Sequence, residues 1–399
     1  MESPWKPYLR ENILNPYPMY KALRENDPIH KARSGEWIIT RYEDARTILK
    51  DEKFSVGNRV DWLTKASHQY LDKWESFSII VNALQSFLVF RNPPDHSLLR
   101  RFIMQAWDSR DVNQIINENL DVLLANIDPQ DFDLIPSIAA PLPAMTMTRI
   151  LGLPLEDYPY LERLSHKMIQ SLDLYLTFRQ IKEMEEATLE FIDYFKKQAA
   201  AKIQNPDNSL LSKLIEQSKT SNDVSSSELI ANCFFLFISS EETTASLIGL
   251  GLYHLIKNDA LTSNLNDNSV RTAAIEELLR YDSPLQLIVR IAKEDVTIEN
   301  TQINAGDPVT ICLGAANRDP QKFEKANELT INRSPNHHIA FGSGIHRCLG
   351  DWLAKAEFDL LLQRIIKDYS KFNIIHEPIW KEKLSIRSLE SLKLSFKGK

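Results

Sequence analysis

The sequence predicts a mainly α fold with a small β component, and three observations carry that expectation. From Ser97 to about Lys257 almost every segment shows helical periodicity. Strand-like runs are short and confined to the flanks of that stretch. No Gly/Ser linker, repeat or low-complexity tract divides the 399 residues, which are 43% hydrophobic and can bury a large core.

In order along the chain, Met19–Glu25 follows a proline-marked opening and reads as a short helix. Ile29–Lys31 and Trp37–Thr40 read as strands around the turn signal Ser34-Gly35, and Tyr42–Lys50 reads as a second helix. Asn92-Pro-Pro-Asp-His96 starts another helix, because proline is tolerated in a first turn and aspartate complements the N-terminal dipole. Ser225 and Glu228 form a capping box with Val224 and Leu229 placed as a hydrophobic staple. The helix that starts there meets no proline before about Lys257. Its apolar part, Leu229–Leu250, carries the adjacent acids Glu241 and Glu242, which are costly in hydrocarbon and argue for a core helix over a membrane span. Strands return at Val289–Ala292, Val296–Ile298, Val309–Leu313 and Leu392–Phe396.

Net charge is −7 with no basic block, which gives nucleic-acid binding little support. Three cysteines, Cys233, Cys312 and Cys348, argue against a disulfide framework and for a reducing compartment. The N-terminal residues contain no apolar signal core, so the expected location is cytoplasmic, without a membrane anchor.

The chemistry concentrates in Phe341-Gly-Ser-Gly-Ile-His-Arg-Cys-Leu-Gly350, a glycine-rich loop just before an apolar helix. Glycines lacking Cβ let backbone and a flat ligand come close to Cys348. A metal or a helix N-terminus favours the thiolate there. The run lacks the third glycine of a dinucleotide fingerprint, and Ser343 has no G-x-S-x-G frame. His337, His338, His346 and Cys348 lack the paired spacing of a closed zinc site. The run resembles the F-G-x-G-x-H-x-C-x-G signature of the cytochrome P-450 superfamily, matching at all six fixed positions.

Four further segments fit that resemblance. Ser239-Ser-Glu-Glu-Thr-Thr244, alone a solvated face or a subunit contact, resembles the family's A-G-x-E/D-T-T segment. Glu242 and Thr243 then match its acid–alcohol pair, while Ser239 and Ser240 stand where Ala and Gly are usual. Glu277 and Arg280, at i,i+3, resemble the E-x-x-R helix, with Arg333 as the candidate third member. Ala316-Asn-Arg-Asp-Pro320 matches the stretch leading to the cysteine loop, with Thr330 where Asp is common. His96, Arg100, Arg290 and His346 match the positions that serve the haem propionates.

The resemblance implies one domain over residues 1–399. Its expected architecture is a helical prism with a small β region, and haem b lies between the long helix and the cysteine loop. Cys348 is then the axial iron ligand. The implied activity is a monooxygenase of the soluble bacterial type that inserts one atom of O2 into a small organic substrate of secondary-metabolite, lipid or terpenoid type. Its electrons come from ferredoxin and ferredoxin reductase. Arg101, Arg110, Arg347 and Lys355 are candidates for a donor-docking patch, and a monomer is expected.

The substrate itself stays open, including whether it rides on a carrier protein. Phe235, Ser239, Ser240, Leu287 and Ile288 are pocket candidates, whereas Trp62, Trp74, Phe77 and Phe87 read first as core. Peroxide-driven chemistry, oxidative coupling, desaturation or nitration on the same haem, and a haem-binding sensor or carrier, are the alternatives. Cys233 and Cys312 are expected to be inert buried thiols.

Overall fold

The computed structural model of the protein describes residues 4–56, 78–108, 111–172, 176–221, 223–262 and 265–399. In chain order these form α1 (Tyr17–Asn26), β1 (Ile29–Lys31), β2 (Trp37–Ile39), α2 (Tyr42–Lys50), β3 (Phe54–Ser55), α3 (Asp95–Ala106), β4 (Phe132–Asp133), α4 (Tyr158–Met168) and α5 (Phe178–Gln204). Then come α6 (Ser226–Lys257), α7 (Asn268–Tyr281), β5 (Leu287–Ala292), β6 (Val296–Ile298), β7 (Thr301–Ile303), β8 (Pro308–Cys312), α8 (Asp351–Asp368) and β9 (Tyr369–Ile374). Strands β10 (Ile379–Trp380), β11 (Leu389–Ser391) and β12 (Lys393–Gly398) follow, and further helices, among them Val112–Ala125, Pro141–Leu151 and Leu210–Thr220, and turns lie between some of these elements.

The residues fall into two compact units, each assembled from separated segments. One holds Met1–Ser55, Leu120–Ala140 and Thr243–Lys399, the other Val56–Asn119 and Pro141–Glu242. Among the described residues every strand belongs to the first unit. Its main sheet has the order β1-β2-β8-β5-β3, parallel only between β2 and β8, where Ile38 faces Thr310. Helix α2 buries Tyr42, Ala45, Ile48 and Leu49, a stripe at helical spacing, in a core shared with Trp37, Ile39, Val309 and Ile311. A second sheet orders β4-β12-β9.

The second unit is helical. Thr177 and Gln180 cap α5 reciprocally, and Ile181, Met184, Phe191 and Phe195 form its buried stripe. Phe191 stacks on Phe234 of α6 at 5.2 Å. The capping box before α6 is realised, Ser225 N donating to Glu228 Oε2 at 3.0 Å and Glu228 N to Ser225 Oγ at 3.3 Å. Helix α6 is 32 residues, or about 48 Å at 1.5 Å per residue. It is long and apolar enough to cross a membrane, but 72% of its most apolar window is buried inside the protein.

Boundaries shift where tertiary contacts decide them. Helix α1 begins at Tyr17, two residues earlier than the apolar spacing suggests, and β5 begins at Leu287, which pairs with Cys312. Strand β8 ends at Cys312, because Leu313 opens a single helical turn. Strand β2 ends at Ile39, and β12 spans Lys393–Gly398.

Candidate functional site

The cysteine loop belongs to the first unit, and its shape follows from two glycines. Gly342 and Gly344 take φ of 72° and 73°, the left-handed region that side-chain-bearing residues avoid. At Gly344 a Cβ would also stand 2.5 Å from Leu49 O, so α2 leaves room for no other residue. The chain then makes a turn over Gly344–His346, and Cys348 N donates to Phe341 O at 2.9 Å. Gly350 O accepts from both Leu353 N and Ala354 N at 3.1 Å as α8 begins. Cys348 is exposed, outside any disulfide, and two residues short of that cap, where a helix N-terminus complements an anionic sulfur. His346 is half-buried on the same turn.

The approach to the loop is held by charge with no exposure to water. Glu277 and Arg280 of α7 are both 0% exposed. Arg280 Nε donates to Glu277 Oε2 at 2.7 Å and Nη2 to Oε1 at 2.8 Å. The remaining donors of Arg280 reach backbone oxygens of Asn317 (2.9 Å), Ala326 (2.8 Å) and Glu328 (3.0 Å). Arg333 Nε adds 2.9 Å to Glu277 Oε2, so the predicted third member is present. Two partners were not anticipated: Asn336 Nδ2 at 3.2 Å and the backbone N–H of Thr330 at 2.9 Å. Thr330 contributes through its main chain, so its side chain is not required there. Asn317 Oδ1 accepts from Ile339 N at 2.8 Å, linking this network to the start of the loop.

Arg290, on β5, is 8% exposed, and Nη1 donates to Val289 O at 2.9 Å. Among the described residues no carboxylate pairs with it, and burial pushes its pKa down to about 10. A buried guanidinium without a counter-charge is costly. It suits an anionic group supplied from outside the chain, and with Cys348 it fits a haem, which brings carboxylates and an iron. Leu287, on the same strand, is buried and Ile288 half-buried.

In the second unit, His96 is buried on α3 with Arg100 half-buried one turn on. Burial, and then Arg100, push the His96 pKa down to about 4, which keeps the imidazole neutral. On α6, Ser239 Oγ donates to Leu236 O at 3.3 Å and Ser240 Oγ to Phe237 O at 2.8 Å. These bonds compete with the helical ladder at the point expected to open. Glu241 and Glu242 are buried, at 1% and 2% exposure, and Thr243 is half-buried.

Phe235 is half-buried with its ring 5.0 Å from Phe87, which is itself core against Phe234 at 4.8 Å. Trp62, Trp74 and Phe77 lie outside the described residues. Cys233 and Cys312 are buried, and burial raises both thiols, Cys233 to about 12.

Of the docking candidates, Arg101 is exposed on α3 and Arg110 lies outside the described residues. Arg347 pairs with Asp351 at 2.5 Å, and Lys355 with Glu276 at 3.0 Å. Arg347 also lines a polar cleft of about 420 Å³ with Arg46, Lys322, His337 and Glu276. Glu276, another unanticipated participant, takes His338 Nε2 at 2.7 Å. An acid next to Glu277 with a histidine far along the chain leaves no local spacing to read.

The family model described as Cytochrome P450 matches residues 161–383. The chain is 31% identical to the polyketide biosynthesis cytochrome P450 PksS of Bacillus subtilis (strain 168), over 98% of each chain. It is 30% identical to the biotin biosynthesis cytochrome P450 of the same organism, over 97% of each. A similar solved structure is P450BioI in complex with hexadec-9Z-enoic acid-ligated acyl carrier protein. Its TM-score is 0.87 at 28% identity, covering 97% of this chain and 100% of that one.

Proposed function

The chain belongs to the cytochrome P450 family, a haem b monooxygenase, and from that premise we propose that it oxygenates a small, largely apolar biosynthetic substrate with electrons from a ferredoxin and its reductase. The observation that carries the reading is Cys348, exposed on a loop that two left-handed glycines shape. Cys348 would hold the haem iron as a thiolate, and Arg290, His346, His96 and Arg100 would hold its propionates. Bound there, the haem supplies reductive activation of O2 and insertion of one oxygen atom into the substrate.

The chain's own residues do the rest. Glu242 and Thr243, at successive positions of α6, accept and relay protons from solvent toward the reacting oxygen. Ser239, Ser240, Phe235, Leu287 and Ile288 line the substrate side and exclude water. Glu277, Arg280 and Arg333 hold the backbone that leads to Cys348. A biosynthetic substrate is supported by the polyketide and biotin pathways named for relatives. Delivery on a carrier protein is supported by the complex of P450BioI with an acyl carrier protein. Donor docking beside Cys348 is supported by Arg46, Lys322 and Arg347 around the polar cleft.

The test is the carbon monoxide difference spectrum of the dithionite-reduced protein, with and without Cys348→Ser. A strongly red-shifted Soret band that the substitution abolishes is the expected result. A band at the unshifted position in the wild type, or one indifferent to the substitution, removes Cys348 as ligand. Consumption of NADH with surrogate ferredoxin partners, rising on addition of substrate, tests the electron route.

A further inference from the structure

Glu162 and His166 stand at i and i+4 on α4, on the same face as each other, and meet Glu241 of α6 within the second unit. One ligand atom from each of the three lies within 4.8 Å of the others. The cluster is graded from surface to core: His166 is exposed, Glu162 half-buried and Glu241 buried. Glu241 is 1% exposed, and neither of its carboxylate oxygens accepts a hydrogen bond among the described residues. His166 Nε2 lies 2.9 Å from Glu241 Oε1, yet the contact does not satisfy hydrogen-bond geometry. A carboxylate so deep, aimed at an imidazole that does not donate to it, has lost water without gaining an equivalent.

We propose that Glu162, His166 and Glu241 bind a divalent cation of the zinc class that bridges α4 to α6. The donor set selects the metal: one imidazole nitrogen with two carboxylates suits zinc and its neighbours, whereas calcium and magnesium take oxygen throughout. Two carboxylates and a neutral imidazole sum to two negative charges, which a dication cancels. Ligand atoms about 2.0–2.2 Å from a tetrahedral zinc stand roughly 3.3–3.6 Å apart. The 2.9 Å contact needs a slight opening and the 4.8 Å limit a modest closure, both within reach of the two side chains near the surface. Burial fixes Glu241, so the metal reads a preset position. Water completes the shell on the open side.

Occupancy would pin α4 to α6 one residue before Glu242. That consequence rests on the proton-handling role proposed for Glu242, whereas metal binding itself does not.

The experiment is zinc stoichiometry. Chelator-treated, haem-loaded protein is dialysed against zinc chloride, and zinc is counted against haem iron by mass spectrometry. One zinc per chain is expected, with Glu162→Gln and His166→Ala each weakening uptake by more than about tenfold, the low end even for losing an outer-shell partner. His376→Ala, at an exposed histidine elsewhere, keeps full uptake. Glu241→Gln is the more severe test, and should it fail to fold, the near-surface variants still decide the matter. No uptake by the wild type leaves only an ion pair between His166 and Glu241 and overturns the proposal. Equal uptake by Glu162→Gln and His166→Ala places the zinc elsewhere and overturns it as well. The carbon monoxide spectrum of each variant reports separately on the haem reading, so the two failures cannot be confused.

Discussion

Arg280 grips Glu277 through two parallel hydrogen bonds of 2.7 and 2.8 Å, with both side chains wholly out of water. Such a pair is a weak source of net stability, because desolvation offsets most of the attraction. Breaking it is another matter, since the surviving charge has nowhere to go.

Glu277→Gln therefore destabilises the protein by about 3–5 kcal/mol, the usual result of removing one partner of a buried pair. Urea unfolding followed by tryptophan fluorescence measures it. Arg280 and Arg333 both lose their acid, so the loss falls on the segment leading to Cys348, and haem content drops with it. An unfolding midpoint equal to wild type would show that the pair is dispensable.

Arg290→Met is expected to separate the haem-free from the haem-loaded protein. Without haem, the substitution removes a buried cation that no acid pairs with among the described residues, so stability is unchanged or raised. With haem, it removes a charge-assisted contact worth about 1.5–3 kcal/mol, and haem transfer to apomyoglobin quickens by roughly tenfold to a hundredfold. The same transfer rate in both proteins would leave Arg290 without a propionate role.

Thr243→Ala should leave haem reduction intact while lowering product formed per NADH, with the missing electrons recovered as hydrogen peroxide. Losing one proton-delivery group costs about 10²–10⁴-fold in the step it serves. Product and peroxide are measured together. Unaltered coupling would take Thr243 out of the proton path.

Glu276 predicts an acid-side loss of stability. Burial pushes its pKa up, but the His338 hydrogen bond and charge, and then Lys355, outweigh this and bring it from 4.5 to about 2. A carboxylate whose folded pKa lies below its unfolded value stabilises the fold above pH 4.5. That contribution fades as pH falls from 4.5 toward 2. Allowing for its partial exposure, the contribution is on the order of 1–2 kcal/mol. Glu276→Gln should flatten the stability profile across that window. An identical acid limb in both proteins would contradict the assignment.

Helix α2 and strands β1 and β6 form over the residues their spacing predicts, because in each the apolar positions and the flanking turn residues agree. The triad of Glu277, Arg280 and Arg333 was legible for a different reason: an i,i+3 pair is local, and the family likeness supplied the distant arginine. Asn336 and the N–H of Thr330 were not legible, since nothing in an amide side chain or a peptide group marks which carboxylate it will meet. The adjacent acids of α6 show the same limit. Sequence marks both as costly in a membrane and so points to a core helix, but only packing reveals that Glu241 meets His166.

Beyond its acid, Arg280 binds three peptide oxygens, at Asn317, Ala326 and Glu328. A carbonyl oxygen is the same in every residue, so this recognition is blind to the side chains that follow it. At exposed Glu328 mutational drift is then free to proceed, since any replacement offers Arg280 the same atom. At Ala326 only size restrains it, because the methyl group is buried, and at Asn317 the amide has commitments of its own to Ser283 and Ile339. A lineage could thus rewrite much of this stretch while a single arginine continues to hold its course.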